Sequence, residues 1–144
     1  MIEKVNYKND MLALIVRGKY RTRKGITFFT PKESTQQFGY MRHKKSHIIK
    51  PHLHKKRKTR IMYTSEVILL LKGLLRVDFY NNKKKYLISK ILKPKDIIML
   101  VKGGHGFKVL KEVQMIEIKQ GPYSLNKDKI KFENIDENKI KIKK

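Results

Sequence analysis

The chain has no cysteine, which removes disulfides, thiolate zinc sites, iron–sulfur clusters and thiol catalysis together. It is poor in acid: 12 Asp and Glu stand against 36 Lys and Arg, a formal net charge of +24. It lacks a long apolar run. The longest aliphatic stretch, Val67–Leu71, is far below the roughly 18 residues a membrane helix needs. The opening MIEKVNYKND carries no secretory apolar segment, and Met11–Val16 is too short and comes too late to act as one. A cytoplasmic location without a membrane partner is the expectation. Aromatic residues are few and scattered, 6 Phe and 7 Tyr, so no stacking platform for single-stranded nucleic acid stands out.

What is present points to a folded domain. Hydrophobic residues make up 40% of 144, enough for a real core and too many for wholesale disorder. The basic excess is nearly all lysine, 29 Lys against 7 Arg. Lys, Ile and Asn have A/T-rich codons and supply 53 residues, so a biased genome accounts for much of the composition. Readers of nucleic acid lean on Arg for bidentate contacts, and no specific nucleic-acid partner is expected.

Strand-like segments dominate. Met11–Val16, Gly25–Thr30, Ile61–Leu71, Leu74–Tyr80, Tyr86–Leu92, Asp96–Val101, Gly106–Leu110 and Val113–Lys119 are separated by Gly73, Asn81-Asn82, Pro94, Gly103-Gly104 and Gly121-Pro122. Short strands between such breakers predict an all-β sandwich or barrel. Leu75–Phe79 alternates apolar and polar, as a half-buried antiparallel strand does. Asn81-Asn82 suits a tight turn, because Asn tolerates positive φ. Residues 124–144 are highly charged and thinly apolar. Ile130, Phe132 and Ile135 are expected to pack at the domain edge, with the last residues a solvated tail.

Chemistry concentrates on three histidines. His52 and His54 are two residues apart, and on a strand such positions share a face, so two imidazoles would emerge side by side. Imidazole suits Zn, Fe, Ni and Cu and, with carboxylate help, Mn. Glu66 opens an intensely apolar strand, where an acid is costly unless a cation or metal pairs with it. His105 sits in a Gly-Gly-His-Gly turn, where glycine lets the backbone bend tightly. His43 and His47 lie in a Lys/Arg-rich loop and receive no role. Glu66 has a plainer use as well, an internal ion pair with Arg60 or Lys119.

From Pro51 to Pro122 the chain resembles the cupins, small double-stranded β-helix proteins. Their first motif, G-x5-H-x-H-x3-4-E-x6-G, is echoed by His52-x-His54 and by Glu66 followed six residues later by Gly73. Their second, G-x5-P-x-G-x2-H-x3-N, is echoed by Lys95–His105. Ser46, Lys95 and Val101 replace two glycines and a proline, and eleven residues separate His54 from Glu66. His105 comes one position early, and Val109 stands where Asn is expected. The wording HGFKVL…MIEIKQGPY looks like small cupins of sugar-nucleotide and surface-polysaccharide pathways.

The resemblance implies a jelly-roll barrel, a single domain over 1–123 with core motifs at 51–122, and a charged extension at 124–144. It implies a divalent transition metal, Fe, Mn, Ni or Zn, on His52, His54, Glu66 and His105. The implied activity is isomerase or epimerase chemistry on a carbohydrate or sugar nucleotide, with the metal as Lewis acid beside a general acid or base. Tyr63, Glu117 and Lys119 are the candidate acids and bases, and Tyr123, Arg57 and Arg60 the candidate substrate contacts. Met115, Glu117 and Lys119 share one face of their strand, which is either the barrel interior or an ordinary surface. Two other outcomes belong to the same resemblance: a non-catalytic sugar-binding or regulatory cupin, and a non-haem iron dioxygenase. A homodimer paired through edge strands is expected.

Overall fold

The computed structural model describes residues 1–122 and 129–143. The chain is all-β, with strands β1 (Ile2–Tyr7), β2 (Asp10–Val16), β3 (Gly25–Phe28), β4 (Gly39–Arg42), β5 (Glu66–Tyr80), β6 (Tyr86–Leu92), β7 (Ile97–Leu100) and β8 (Gly104–Lys119). Its helical content among the described residues is one 3-10 turn, Glu137–Lys139. The residues gather into two compact units, one made of Met1–Lys19 with Thr64–Lys144, the other of Tyr20–Tyr63. The 123/124 boundary expected from composition lies outside the described residues.

The larger unit is a curled antiparallel half-barrel sheet. Its strands run β1-β2-β7-β5-β6, and β8 pairs with β5. β2 and β7 read as unbroken apolar runs because they are interior strands of this sheet. Leu12–Val16 and Ile98–Leu100 are all buried. The core joins Val5, Leu12, Ala13 and Ile15 to Ile68, Leu70, Leu75, Val77, Phe79, Leu92, Ile98 and Leu100. β1 went unrecognised in the sequence because IEKVNY alternates weakly, yet it pairs with β2 from Ile2↔Val16 to Tyr7↔Asp10.

The segments expected as four strands form two. Ile61–Leu71 and Leu74–Tyr80 merge into β5, and Gly106–Leu110 and Val113–Lys119 merge into β8. Together they make one long antiparallel ribbon, from Glu66↔Lys119 to Tyr80↔Gly104. On its other side β5 pairs with β7 over Glu66–Leu69 and with β6 over Leu75–Tyr80. The ribbon therefore changes partner halfway and must bend there. Three register shifts fall between Leu70 and Leu75, and Gly73 sits among them at φ +90°. A Cβ at Gly73 would collide with the backbone carbonyl of Glu112, so only glycine lets the two strands cross this closely.

The polar face of Leu75–Phe79 is not solvated as expected. Arg76 and Asp78 are both buried and form a bidentate pair, 2.8 and 2.9 Å. Asp78 also accepts from the Ser89 hydroxyl on β6. Glu137 closes over Arg76 with two contacts of 2.7 and 2.9 Å, and Lys108 reaches the same carboxylate at 2.9 Å. These two cations hold the Glu137 carboxyl down to about 2. The C-terminal stretch is thus a strap and not a loose tail. Ser89 N donates to Lys141 O at 2.8 Å, Lys143 N donates to Ser89 O at 3.1 Å, and Phe132 packs edge-on against Tyr80. A sequence scan sees only its charge, because what covers the Arg76 face is a contact 61 residues away. Ile130, in contrast, is exposed.

Two details place the remaining turns. Asn81 starts the β5–β6 turn through its side chain, which accepts from Lys83 N and Lys85 N. The positive φ falls on Lys84 and on neither asparagine. At the other end of the sheet, Glu3 bridges Arg17 (2.5 Å) and Lys90 (2.7 Å), and Arg17 reaches Asp96 at 2.8 Å. The hydrogen bond from Arg17 holds the Glu3 carboxyl below its ordinary range against the opposing pull of burial.

The smaller unit contains the β3–β4 hairpin and an edge-to-face aromatic cluster of Tyr20, Phe29, Phe38 and Tyr40. From His43 to Tyr63 it has no strand.

Candidate functional site

Glu66 is the first residue of β5 and His105 the second of β8. In the ladder His105 lies opposite Phe79, thirteen residues along β5 from Glu66. On a flat ribbon that separation is roughly 40 Å. Instead, His105 Nε2 stands 3.0 Å from Glu66 Oε2. The bend at Gly73 folds the ribbon back so that its two ends face each other. Alternation supplies the direction. Glu66 shares a face with Ile68 and Leu70, and His105 shares one with its cross-strand partner Phe79, all core-facing residues. The glycines around His105 do not form the expected turn. Gly103, at φ +74°, makes the turn, and Gly104-His105-Gly106 already belongs to β8.

The electrostatics follow from burial beside cations. The Glu66 side chain is only 6% exposed. Lys129 Nζ lies 3.5 Å from Oε1, and Lys119 occupies the position directly opposite in the ladder. His105 is the main influence holding the Glu66 carboxyl below its ordinary range. Burial pushes the other way, and the charges of Lys129 and Lys119 reinforce the lowering. The approach of His105 has hydrogen-bond length but not alignment. Among the described residues, the buried Oε2 is left without a hydrogen-bond partner. A buried carboxylate oxygen of this kind has lone pairs available to a cation.

The other predicted residues lie as follows. His52 and His54 stand next to each other in the smaller unit, ring centroids 5.2 Å apart and edge-to-face. They sit on irregular chain, not on the strand that was expected to align them. His52 Nδ1 is 2.9 Å from the Lys50 carbonyl. A carbonyl only accepts, so Nδ1 is the donor in this contact. Arg57, Arg60 and Tyr63 are exposed in the same irregular stretch. Glu117 is opposite Ile68 and exposed, whereas Lys119 is opposite Glu66 and half-buried. On the face that Met115, Glu117 and Lys119 share, the first two are exposed and only Lys119 is half-buried. Tyr123 lies outside the described residues. Lys129 was passed over in the sequence because it is one lysine among many in a charged run. Only the fold singles it out.

Among the described residues no cluster of three or more His, Asp and Glu side chains is close enough to hold a metal ion. The structure joins two of the four expected ligands, Glu66 and His105, and separately pairs the other two. No family model, no curated protein and no solved structure matches this chain.

Proposed function

We propose that this protein is a metal-binding enzyme of cupin type, acting on a carbohydrate-like substrate as an isomerase or epimerase. The observation that carries the reading is the meeting of Glu66 and His105 from opposite ends of one folded ribbon. Donors bound to one transition-metal ion at about 2.1 Å stand roughly 3 Å apart when adjacent in its coordination shell. The 3.0 Å separation of His105 Nε2 and Glu66 Oε2 suits two such donors, and the unpartnered Oε2 suits a cation. The two donors fit a borderline metal: one imidazole nitrogen from His105 and one carboxylate from Glu66.

A metal bound there would polarise a carbonyl or hydroxyl oxygen of the sugar. The chain's own contributions are local. Glu66 stays ionised because His105 and two lysines favour its charged form. Lys119, opposite Glu66 and half-buried, is the best-placed candidate to move a proton at the substrate carbon. Glu117, exposed, is a weaker one. That exposure supports a second reading, a sugar-binding protein without turnover, which calorimetry showing binding without product would favour.

Elemental analysis of untagged protein purified in metal-replete, chelator-free buffer tests the proposal. About one equivalent of Fe, Mn, Ni or Zn is expected, reduced in Glu66→Gln and His105→Ala. Folded protein that takes up no metal would end the reading, leaving Glu66 and His105 as an internal ion pair.

A further inference from the structure

The smaller unit, Tyr20–Tyr63, holds 13 Lys and Arg and a single acid, Glu33. The other 100 residues hold 23 against 11. Half the net charge therefore sits on less than a third of the chain. Codon bias toward lysine does not produce this, because it raises lysine everywhere and has no reason to exclude acids from one unit. Arginine is segregated too. Of the seven, Arg17 and Arg76 are locked in ion pairs of the larger unit, and the other five lie in the smaller.

The charge is concentrated on irregular, exposed chain. Lys55, Lys56, Arg57, Lys58 and Arg60 are all exposed, and none enters an ion pair with a described residue. Apolar side chains flank them in the open. Ile48 is 79% exposed, Leu53 96% and Met62 66%, with Ile49 and Ile61 about half exposed. A single exposed leucine needs no explanation, but five large apolar side chains in the fifteen residues 48–62 do. Between Met41 and Met62 there is no Phe, Tyr or Trp. A strand of RNA would find phosphate contacts and four imidazoles here, but no Phe, Tyr or Trp platform, and it offers nothing to cover the exposed Ile, Leu and Met side chains. An anionic bilayer meets both features. Its headgroups attract the cations, and its interface accepts Ile, Leu and Met side chains.

We infer that the segment Arg42–Met62 is a peripheral docking surface for an anionic lipid bilayer. It needs no spanning helix, and none is present among the described residues. It gives Arg57 and Arg60 a surface to bind in place of the substrate role their charge suggested, and it departs from the expectation of no membrane partner. It does not depend on the metal reading.

The test is sedimentation of the full chain with phosphatidylcholine vesicles and with phosphatidylglycerol-rich vesicles. Two variants accompany it: K55Q/K56Q/R57Q/K58Q/R60Q, and I48S/M62S, which keeps every charge. The expected result is binding to the anionic vesicles only. The charge variant should weaken it by about a hundredfold or more, and the apolar variant by several-fold. A far-UV β spectrum and an unchanged melt in both variants show that the fold survives. Absence of vesicle binding, or binding undiminished in the charge variant, overturns the inference. So does binding that ignores the apolar variant while poly(U) is held as tightly, the signature of an indiscriminate polycation.

Discussion

Replacing Gly73 by alanine tests the bend on which the candidate site depends. The position has φ +90°, which costs an L-residue about 1–2 kcal/mol. The new Cβ would also run into the Glu112 carbonyl and crowd that of Lys111, both backbone atoms that no rotamer change can move. Relieving such overpacking costs about another 1–3 kcal/mol. Together the loss is about 2–5 kcal/mol, a large part of the stability of a domain this size. For a chain of this length each kcal/mol lowers Tm by about 3–5 °C, so a drop of at least about 6 °C is expected. Gly106→Ala is the control, because it lies on the same ribbon and its Cβ would meet nothing closer than 3.8 Å. Its change should stay within about 0.5 kcal/mol. Thermal and urea melts followed by circular dichroism read both. A Gly73→Ala protein that melts within a degree or two of the parent would refute the bend, and with it the geometry that brings Glu66 to His105.

The acid limb of stability carries a second prediction. Glu66 is held below its ordinary value of 4.5, so its contribution is fully present above pH 4.5 and disappears as pH falls through the lower folded value. Glu66→Gln should therefore flatten the stability profile below pH 4.5, and a limb of unchanged slope would count against the His105 contact. The buried pair supplies a third. Arg76→Met strands Asp78, which is 5% exposed, and should cost about 3–5 kcal/mol, whereas the double variant Arg76→Met with Asp78→Leu should recover most of it. In the single variant the amide of Ser89, which donates to Lys141 on the strap, should also exchange faster; equal exchange would mean the strap holds without Glu137 and Arg76.

Local pattern was enough for much of the sheet. β6 matches the expected Tyr86–Leu92, β2 differs from its expected segment by one residue at its start and β7 by one at each end, because apolar runs bounded by Asn, Pro and Gly carry their own limits. The all-β class followed from the same punctuation. Continuity across Gly73 did not. A glycine between two apolar segments reads equally as a break or a bulge, and only the opposing carbonyl of Glu112 shows which it is. His105 was assigned to a turn for the same reason, since glycines on both sides conceal a strand start.

The site divides along similar lines. That an acid at position 66 needed a cation was a property of its neighbours in sequence, since Val67 to Leu71 are all apolar and a bare carboxylate among them is costly. Which cations it found was decided in three dimensions. His105 and Lys129 reach it from 39 and 63 positions away because the ribbon folds back and the strap returns across the sheet. Composition could likewise announce +24 but not where it mattered. Side-chain chemistry is a local property, written residue by residue. Proximity between distant residues depends on how the sheet closes, and that depends on packing and register summed over the whole chain.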